Sequence, residues 1–210
     1  MTTYSENWLT VPLGEIAHVK AGKPAPQGKE DFSNDGAPFV RVQDMGRNSQ
    51  EKYLTQTKDR LSAKGCRGLK LFPRGTVLFT KSGASTLLNQ RAVLASDSHV
   101  VSHIGTAVPK PGVLSEWIYY FLCTVDFAKF AHGANMPSLP LSRIQTLCAP
   151  FTGLTAQRRI VAKIEELFSE LDKGVESLTI AREQLKAYRQ SAATLNLIRI
   201  DPTAFHQLLT

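Results

Sequence analysis

Apolar residues recur every seven positions through the last quarter of the chain. Ile164, Leu171, Leu178, Leu185 and Ala192 share one position of the repeat, and Ile160, Leu167, Gly174, Ala181, Tyr188 and Leu195 share the other. A repeat of this kind makes a coiled-coil seam. Lys163, Glu165, Glu166, Glu170, Lys173, Glu176, Arg182, Glu183, Lys186 and Arg189 stand between these positions with mixed sign, which predicts solvated faces away from the seam. Phe168 and Val175 widen the apolar stripe enough for more than one partner. A straight helix from Gln157 to Leu195 is roughly 55 to 60 Å long, more than a compact domain of this size can cover. Gly174 costs about 1 kcal/mol relative to alanine inside a helix, and "LDKG" also reads as a helix end. The heptad passes from Leu171 to Leu178 without a slip, so the pattern predicts a continuous or gently bent helix. A helical hairpin folded on the globular part is the other arrangement, and it needs a turn that the sequence does not supply.

The pattern before Gly153 is different. "WLTVPLGEIAHVK" (8–20) reads as a short strand or helix, and "AGKPAPQGKEDFSNDGAP" (21–38) as a long polar loop. "PFVRVQDM" (38–45), "KLFPRGTVLFT" (70–80), "RAVLAS" (91–96) and "HVVSHIGTAVP" (99–109) are β-branched or alternating runs, predicting strands of one sheet. "LSEWIYYFLCTVDFAKFAHG" (114–133) has apolar residues at helical spacing, with Ser115 as N-cap and Gly133 as stop. Residues 134–150 read as a proline-rich crossing with a short strand, and Thr155 as the N-cap of the long helix. The predicted class is therefore α+β: a globular domain over 1–153, a coiled-coil helix over 154–198 and a divergent tail over 199–210.

Charge sharpens the picture. The chain has 210 residues, 42% hydrophobic and 20% charged, with a formal net charge of +7. Residues 151–210 hold 8 Lys plus Arg against 7 Asp plus Glu, leaving 17 against 11 for residues 1–150. Between Arg41 and Arg91, eleven basic residues face only Asp44, Glu51 and Asp59. A polyanion such as nucleic acid is the natural partner of that segment. No apolar run follows a basic N-terminus or approaches bilayer length, so a cytoplasmic protein is expected.

Catalytic and metal-binding motifs are mostly absent from the sequence. Cys66, Cys123 and Cys148 are odd in number and widely spaced, suggesting reduced thiols with neither a disulfide framework nor a zinc site. His99 and His103 have ligand-like spacing only on a helix, and the valines around them favour a strand. Gly22 and Gly28-Lys29 do not make a phosphate loop, because Glu30 stands where Ser or Thr is required. No methyltransferase loop, Glu-x-Lys nuclease element, Gly-x-Ser-x-Gly elbow or His-Glu-x-x-His is present. A binding architecture remains, with lysines and arginines on phosphates, polar loop side chains on base edges, and a coiled coil setting the distance between two readers. "TKSGAS" and "NQR" supply the polar and amide groups suited to bases. The candidate DNA-binding residues are Lys20, Lys23, Arg41, Arg47, Lys81, Ser82, Ser85, Asn89, Gln90 and Arg91.

The stretches "WLTVPLGEIAHVKAGKP", "PFVRVQDM", "LFPRGTVLFTKSG", "LPLSRIQTLCAPF" and "QRRIVAKIEELFSELDKGVESLTIAREQLKAYRQS", in this order, resemble a target-recognition domain plus conserved helical region of type I restriction-modification specificity subunits. The resemblance covers about residues 8–191. The family's usual chain carries two such domains and two antiparallel helices, binding methyltransferase (M) subunits and restriction/translocase (R) subunits. One of each is present here, so the resemblance implies a half subunit. The family's Pro-Pro-Leu-x-Glu-Gln lead-in to the helix appears as "TGLTAQ", keeping Leu154 and Gln157, and "LNLIRIDPTAFHQLLT" departs from the family's usual close.

The expected function follows: a non-catalytic subunit that binds double-stranded DNA, requires no cofactor, and pairs with a second copy of itself through Ile160, Ile164, Leu167, Leu171, Leu178, Leu185 and Tyr188. Two-fold pairing implies an interrupted palindromic target. The competing readings are a coiled-coil adaptor whose globular part binds protein, and a DNA modification enzyme without recognisable motifs.

Overall fold

The computed structural model describes residues 8–47, 51–133 and 137–200, the side chains of Arg47 and of 194–200 excepted. It has the expected class, a mixed α+β domain followed by one long helix. The chain opens with β1 (Leu9–Pro12), α1 (Leu13–Ile16) and β2 (Ala17–Ala21). It continues through β3 (Phe32–Val40), α2 (Val42–Arg47), β4 (Tyr53–Leu54) and β5 (Asp59–Leu61). Next come β6 (Leu71–Phe72), β7 (Val77–Thr80), β8 (Arg91–Leu94), β9 (Ser98–Val100) and β10 (Ile104–Pro109). The last elements are α3 (Ser115–Cys123), α4 (Leu141–Gln145), β11 (Cys148–Phe151) and α5 (Leu154–Ile200).

These strands do not form the one sheet that their sequence suggests. They form a five-stranded sheet in the order β2-β10-β7-β8-β4, a four-stranded sheet β5-β3-β9-β6, and a pair β1-β11. Two turns explain the division. The run 70–80 is broken at Pro73–Thr76, where Pro73 has no N–H to give a ladder, Gly75 takes φ 84°, and the Thr76 hydroxyl donates to the Pro73 carbonyl at 2.7 Å. That turn carries the chain from β6 in one sheet to β7 in the other. The run 99–109 breaks likewise, with the Ile104 N–H closing on the Val101 carbonyl at 3.1 Å between β9 and β10.

Alternation then decides which core each side chain enters. Val77, Phe79 and Val93 pack with Leu13, Ile16, Ile118, Leu122, Phe127 and Ile144, the helical side. Leu78, Ala92 and Leu94 face the other way, joining Phe39, Val40, Leu61, Phe72 and Val100 of the four-stranded sheet. The central sheet is thus buried on both faces, and a period of two sorts its residues into separate cores. Gly22 and Lys23 tie the sheets together through backbone bonds to Ile104 and Val100. A Cβ at Gly22 would lie 2.0 Å from the Val100 carbonyl oxygen, so only glycine fits this junction.

Five local expectations are corrected. The strand placed at 38–45 ends at Val40, because the buried Asp44 carboxylate accepts from the Arg41 N–H (2.8 Å) and the Lys58 N–H (3.1 Å). A carboxylate reaching back to the N-cap nitrogen starts a helix, here α2. The helix placed at 114–133 stops at Cys123, and Asp126 accepts from the Ala128 N–H to begin a separate 3₁₀ turn at Phe127–Lys129. The loop placed at 21–38 contains all of β3 except its last two residues, Phe39 and Val40. At the helix starts, Leu114 rather than Ser115 is the cap of α3, and α5 begins at Leu154, ahead of the expected Thr155 cap.

The fully buried Gln157 connects these starts. Its Oε1 accepts from the Leu114 N–H at 3.0 Å, and its Nε2 donates to the carbonyls of Thr152 (2.7 Å) and Gly112 (3.2 Å). One amide therefore caps α3 and fixes the first turn of α5. The N-terminal compact unit runs through Val161, and the rest of α5 forms a second unit. α5 is unbroken across Gly174. Along it, Leu167, Leu171, Leu178, Leu185 and Tyr188 are all exposed, Leu178 to 72%. The tail beyond Ile200 lies outside the described residues.

Replacing Gln157 with Leu leaves the buried Thr152 carbonyl and the part-buried Leu114 N–H and Gly112 carbonyl without their partner. We expect a loss of about 3 kcal/mol in stability, measured by urea unfolding followed through tryptophan fluorescence. A loss below about 1 kcal/mol would mean that water replaces the amide at these groups.

Candidate nucleic-acid interface

The junction of β3 and α2 presents Arg41, Val42 and Gln43 to an open groove, with Lys58 and Asp59 on another wall and Val101 and His103 on a third. Phe32, Ser33, Asn34 and Arg60 line an adjoining hollow that shares Arg41, Lys58 and Asp59. Arg41 is held in place. Its Nε pairs with Asp59, and its guanidinium lies over the rings of Phe39 (5.4 Å) and Phe32 (5.7 Å). Asp44 beneath fixes the Arg41 and Lys58 backbones, so two cations on distant parts of the sequence are set by one buried carboxylate.

His103 joins the groove to the β7–β8 loop. Its Nδ1 lies 3.2 Å from the Ser82 hydroxyl, and its carbonyl accepts from the Lys81 N–H at 2.9 Å. Arg41, Lys81 and Ser82 are thereby brought to one region. At the far end of the same loop, the Gln90 amide lies against α2, 3.1 Å from where a Cβ on Gly46 would stand. Lys23 sits at the sheet junction, bridged to Val101 of the groove wall, and Lys20 is exposed on the edge strand β2. Burial, and then the positive charge of Lys20, hold the Lys70 ammonium below its usual range, which marks these two cations as neighbours. Like charges held close favour an anion between them. Arg47 ends α2, and its side chain lies outside the described residues.

Two of the expected base-reading groups, Arg91 and Asn89, are engaged elsewhere. Arg91 is 7% exposed. Its Nε donates to the Leu122 carbonyl (3.3 Å), its Nη1 to the Gln90 carbonyl (3.0 Å), and its Nη2 to the Val125 carbonyl (3.0 Å) and Asn89 Oδ1 (3.3 Å). The guanidinium stacks 3.5 Å from the Phe127 centroid. Burial lowers its pKa to about 10, so it remains a cation at neutral pH, solvated by carbonyls instead of water. Asn89 takes a left-handed conformation (φ 51°), accepts from the Phe127 N–H at 2.8 Å, and donates to Asp126 Oδ1 at 3.0 Å. That bond, and then the Ala128 N–H, hold the Asp126 carboxyl below the usual carboxylate value. The Ser85 carbonyl accepts from the Thr80 hydroxyl. Asn89 and Arg91 fasten the loop, and their donors are committed within the chain.

Gln43, Lys58 and His103 line the groove without having been singled out by the sequence pattern. Lys58 stands out there only as a member of a basic run, and His103 only as half of a histidine pair. The other half, His99, is buried in β9, its Nδ1 3.0 Å from the Lys70 carbonyl. Among the described residues, no grouping of three His, Cys, Asp or Glu could hold a metal ion, and no helix is long and apolar enough to cross a membrane.

A groove lined by cations and by amide and hydroxyl groups suits a phosphate backbone and the base edges beside it. Known proteins resemble the chain that builds it. The specificity subunit of the type I restriction enzyme MjaIX from Methanocaldococcus jannaschii is 23% identical over 173 residues, covering 79% of this chain and 39% of that protein. A chain from a structural study of complex assembly and conformational transition of a type I R-M system superposes with a TM-score of 0.68 at 17% identity, over 90% of this chain and 45% of its own. The HsdS subunit from Thermoanaerobacter tengcongensis gives 0.60 at 18% identity, over 81% and 40%. The two structural likenesses speak to the fold. The chain spans less than half the length of each of these relatives. The family model of the type I restriction modification DNA specificity domain matches residues 5–178, and the chain belongs to that family.

Proposed function

We propose that this chain works as a homodimeric half subunit, non-catalytic in itself, that reads double-stranded DNA and directs M and R subunits to an interrupted palindrome. The observation that carries the reading is the exposed apolar seam of α5. A single helix that leaves Leu167, Leu171, Leu178, Leu185 and Tyr188 in water forgoes about 1.5 to 3 kcal/mol for each large side chain it fails to bury. An identical helix running antiparallel satisfies the seam and supplies the second recognition domain. Two-fold related domains read two inverted half-sites.

Within each domain, Arg41, Lys58, Lys81, Lys20 and Lys23 serve the phosphates, and Gln43, Ser82 and Gln90 lie where base edges pass. Arg91 and Asn89 act indirectly, by holding the loop that carries Ser82 and Gln90.

Sedimentation at micromolar concentration should show a dimer for the unaltered chain. The double substitution Leu178→Asp and Leu185→Asp should give a monomer, since each carboxylate would enter the seam without a partner. A monomeric unaltered chain would overturn the half-subunit reading.

Replacing Lys58 or Lys81 with Gln should weaken binding to all duplexes alike and reduce the salt slope of log K by about 0.9 for each phosphate no longer neutralised. Unchanged slopes for both would place the interface elsewhere.

Target selection from random duplexes should return two identical inverted half-sites at a fixed gap. Changing that gap by half of the roughly 10.5-base-pair turn should abolish tight binding, because one domain would face the wrong side of the helix. An asymmetric site would favour pairing with a different specificity chain.

A further inference from the structure

The β7–β8 loop is built as a rigid mount. Gly83 (φ 87°) and the left-handed Asn89 bracket a 3₁₀ turn at Ala84–Leu88, and the Gly83 N–H donates to the Pro137 carbonyl at 2.9 Å. Thr86 is turned into the interior, while the Asn89–Arg91–Phe127 bonds described above clamp the loop's return. The side chains that all this holds outward are apolar: Leu87 is 49% exposed and Leu88 66%. A turn fastened at both ends, with two leucines facing water, is costly unless something covers them.

One root of the loop adjoins the basic groove, and the other lies against the helix α2 that begins at the groove's edge. Lys81 and Ser82 meet His103 at one end, and Gln90 meets Gly46 of α2 at the other. We propose that Leu87 and Leu88 are specificity-determining residues that enter the major groove and make apolar contact with the 5-methyl groups of thymines in the half-site. This rests on the DNA-reading function proposed above. The thymine methyl is the one apolar handle that the major groove offers, and it is absent from the other bases. Two side chains fall far short of the roughly 800 Å² per partner of a stable protein interface, whereas they suffice for one or two methyl groups. The flanking Lys81 and the groove cations favour a polyanion over a protein or lipid surface.

The test uses the full chain and its selected duplex, with each thymine replaced in turn by deoxyuridine, which removes only the methyl. The unaltered protein should lose roughly three- to ten-fold in affinity at one or two thymines. The Leu87→Ala, Leu88→Ala variant should show a similar loss on the thymine duplex, become indifferent to deoxyuridine at those positions, and keep its salt slope. Leu87→Met, Leu88→Met should retain most of the discrimination. These side chains are exposed, so an unchanged thermal unfolding curve accompanies the expected result. Equal deoxyuridine effects in the unaltered and alanine proteins would overturn the assignment. So would unchanged DNA binding together with abolished binding of the methyltransferase subunit, which would make the leucines a protein-docking pair. Failure of the unaltered chain to select any duplex would instead remove the DNA-reading function on which the assignment stands.

Discussion

Everything in the recognition domain hangs on the burial of β7 and β8 from both sides. Val77, Phe79 and Val93 enter one core, and Leu78, Ala92 and Leu94 enter the other, so neither core can form without the other's strands. The same constraint sets the candidate binding surface. Strands sealed on both faces meet water at their ends and connections, and the β7–β8 connection carries Lys81, Ser82 and Gln90. The polar groove beside it is lined by Arg41, Lys58 and His103, which lie on turns by which the chain passes between sheets. Asp44 completes it from below by holding Arg41 and Lys58 through their backbones.

The long-period features were legible from residue order. A heptad is a local pattern, and it survived Gly174 because one glycine costs about 1 kcal/mol against dozens of residues with consistent spacing. The division of strands between two sheets was not legible in the same way. Proline and glycine at 73–75 announced a turn, but a turn does not say whether the next strand rejoins the sheet it left. That choice depends on where Val100, Val101 and Gly22 meet, and these residues are far apart in sequence. Asp44 illustrates the same limit, since one of its two partners lies fourteen positions away.

Among the candidate residues, type was a poor guide to orientation. "NQR" has the donors and acceptors suited to bases, and the same inventory suits a loop that must satisfy buried carbonyls. Arg91 follows the second course because its stem leaves a strand facing Phe127, where a planar cation can stack and donate at once. Gln90 precedes it by one position, ahead of the strand, and lies against α2 instead. Burial therefore separated neighbours of similar chemistry, which no composition or charge count can do.

The bolted loop also bears on how such a domain can change. Leu87 and Leu88 are largely exposed, while Asn89, Arg91 and Phe127 hold the backbone through bonds that do not involve the tip side chains. Substitutions at the tip are therefore nearly free in folding terms, since mutations at exposed sites usually shift stability by only about 0.5 kcal/mol. The base of the loop has no such freedom. A domain divided in this way can acquire a new chemical preference through two codons without first acquiring a new fold, and its tip and its foundation are open to selection as separate parts.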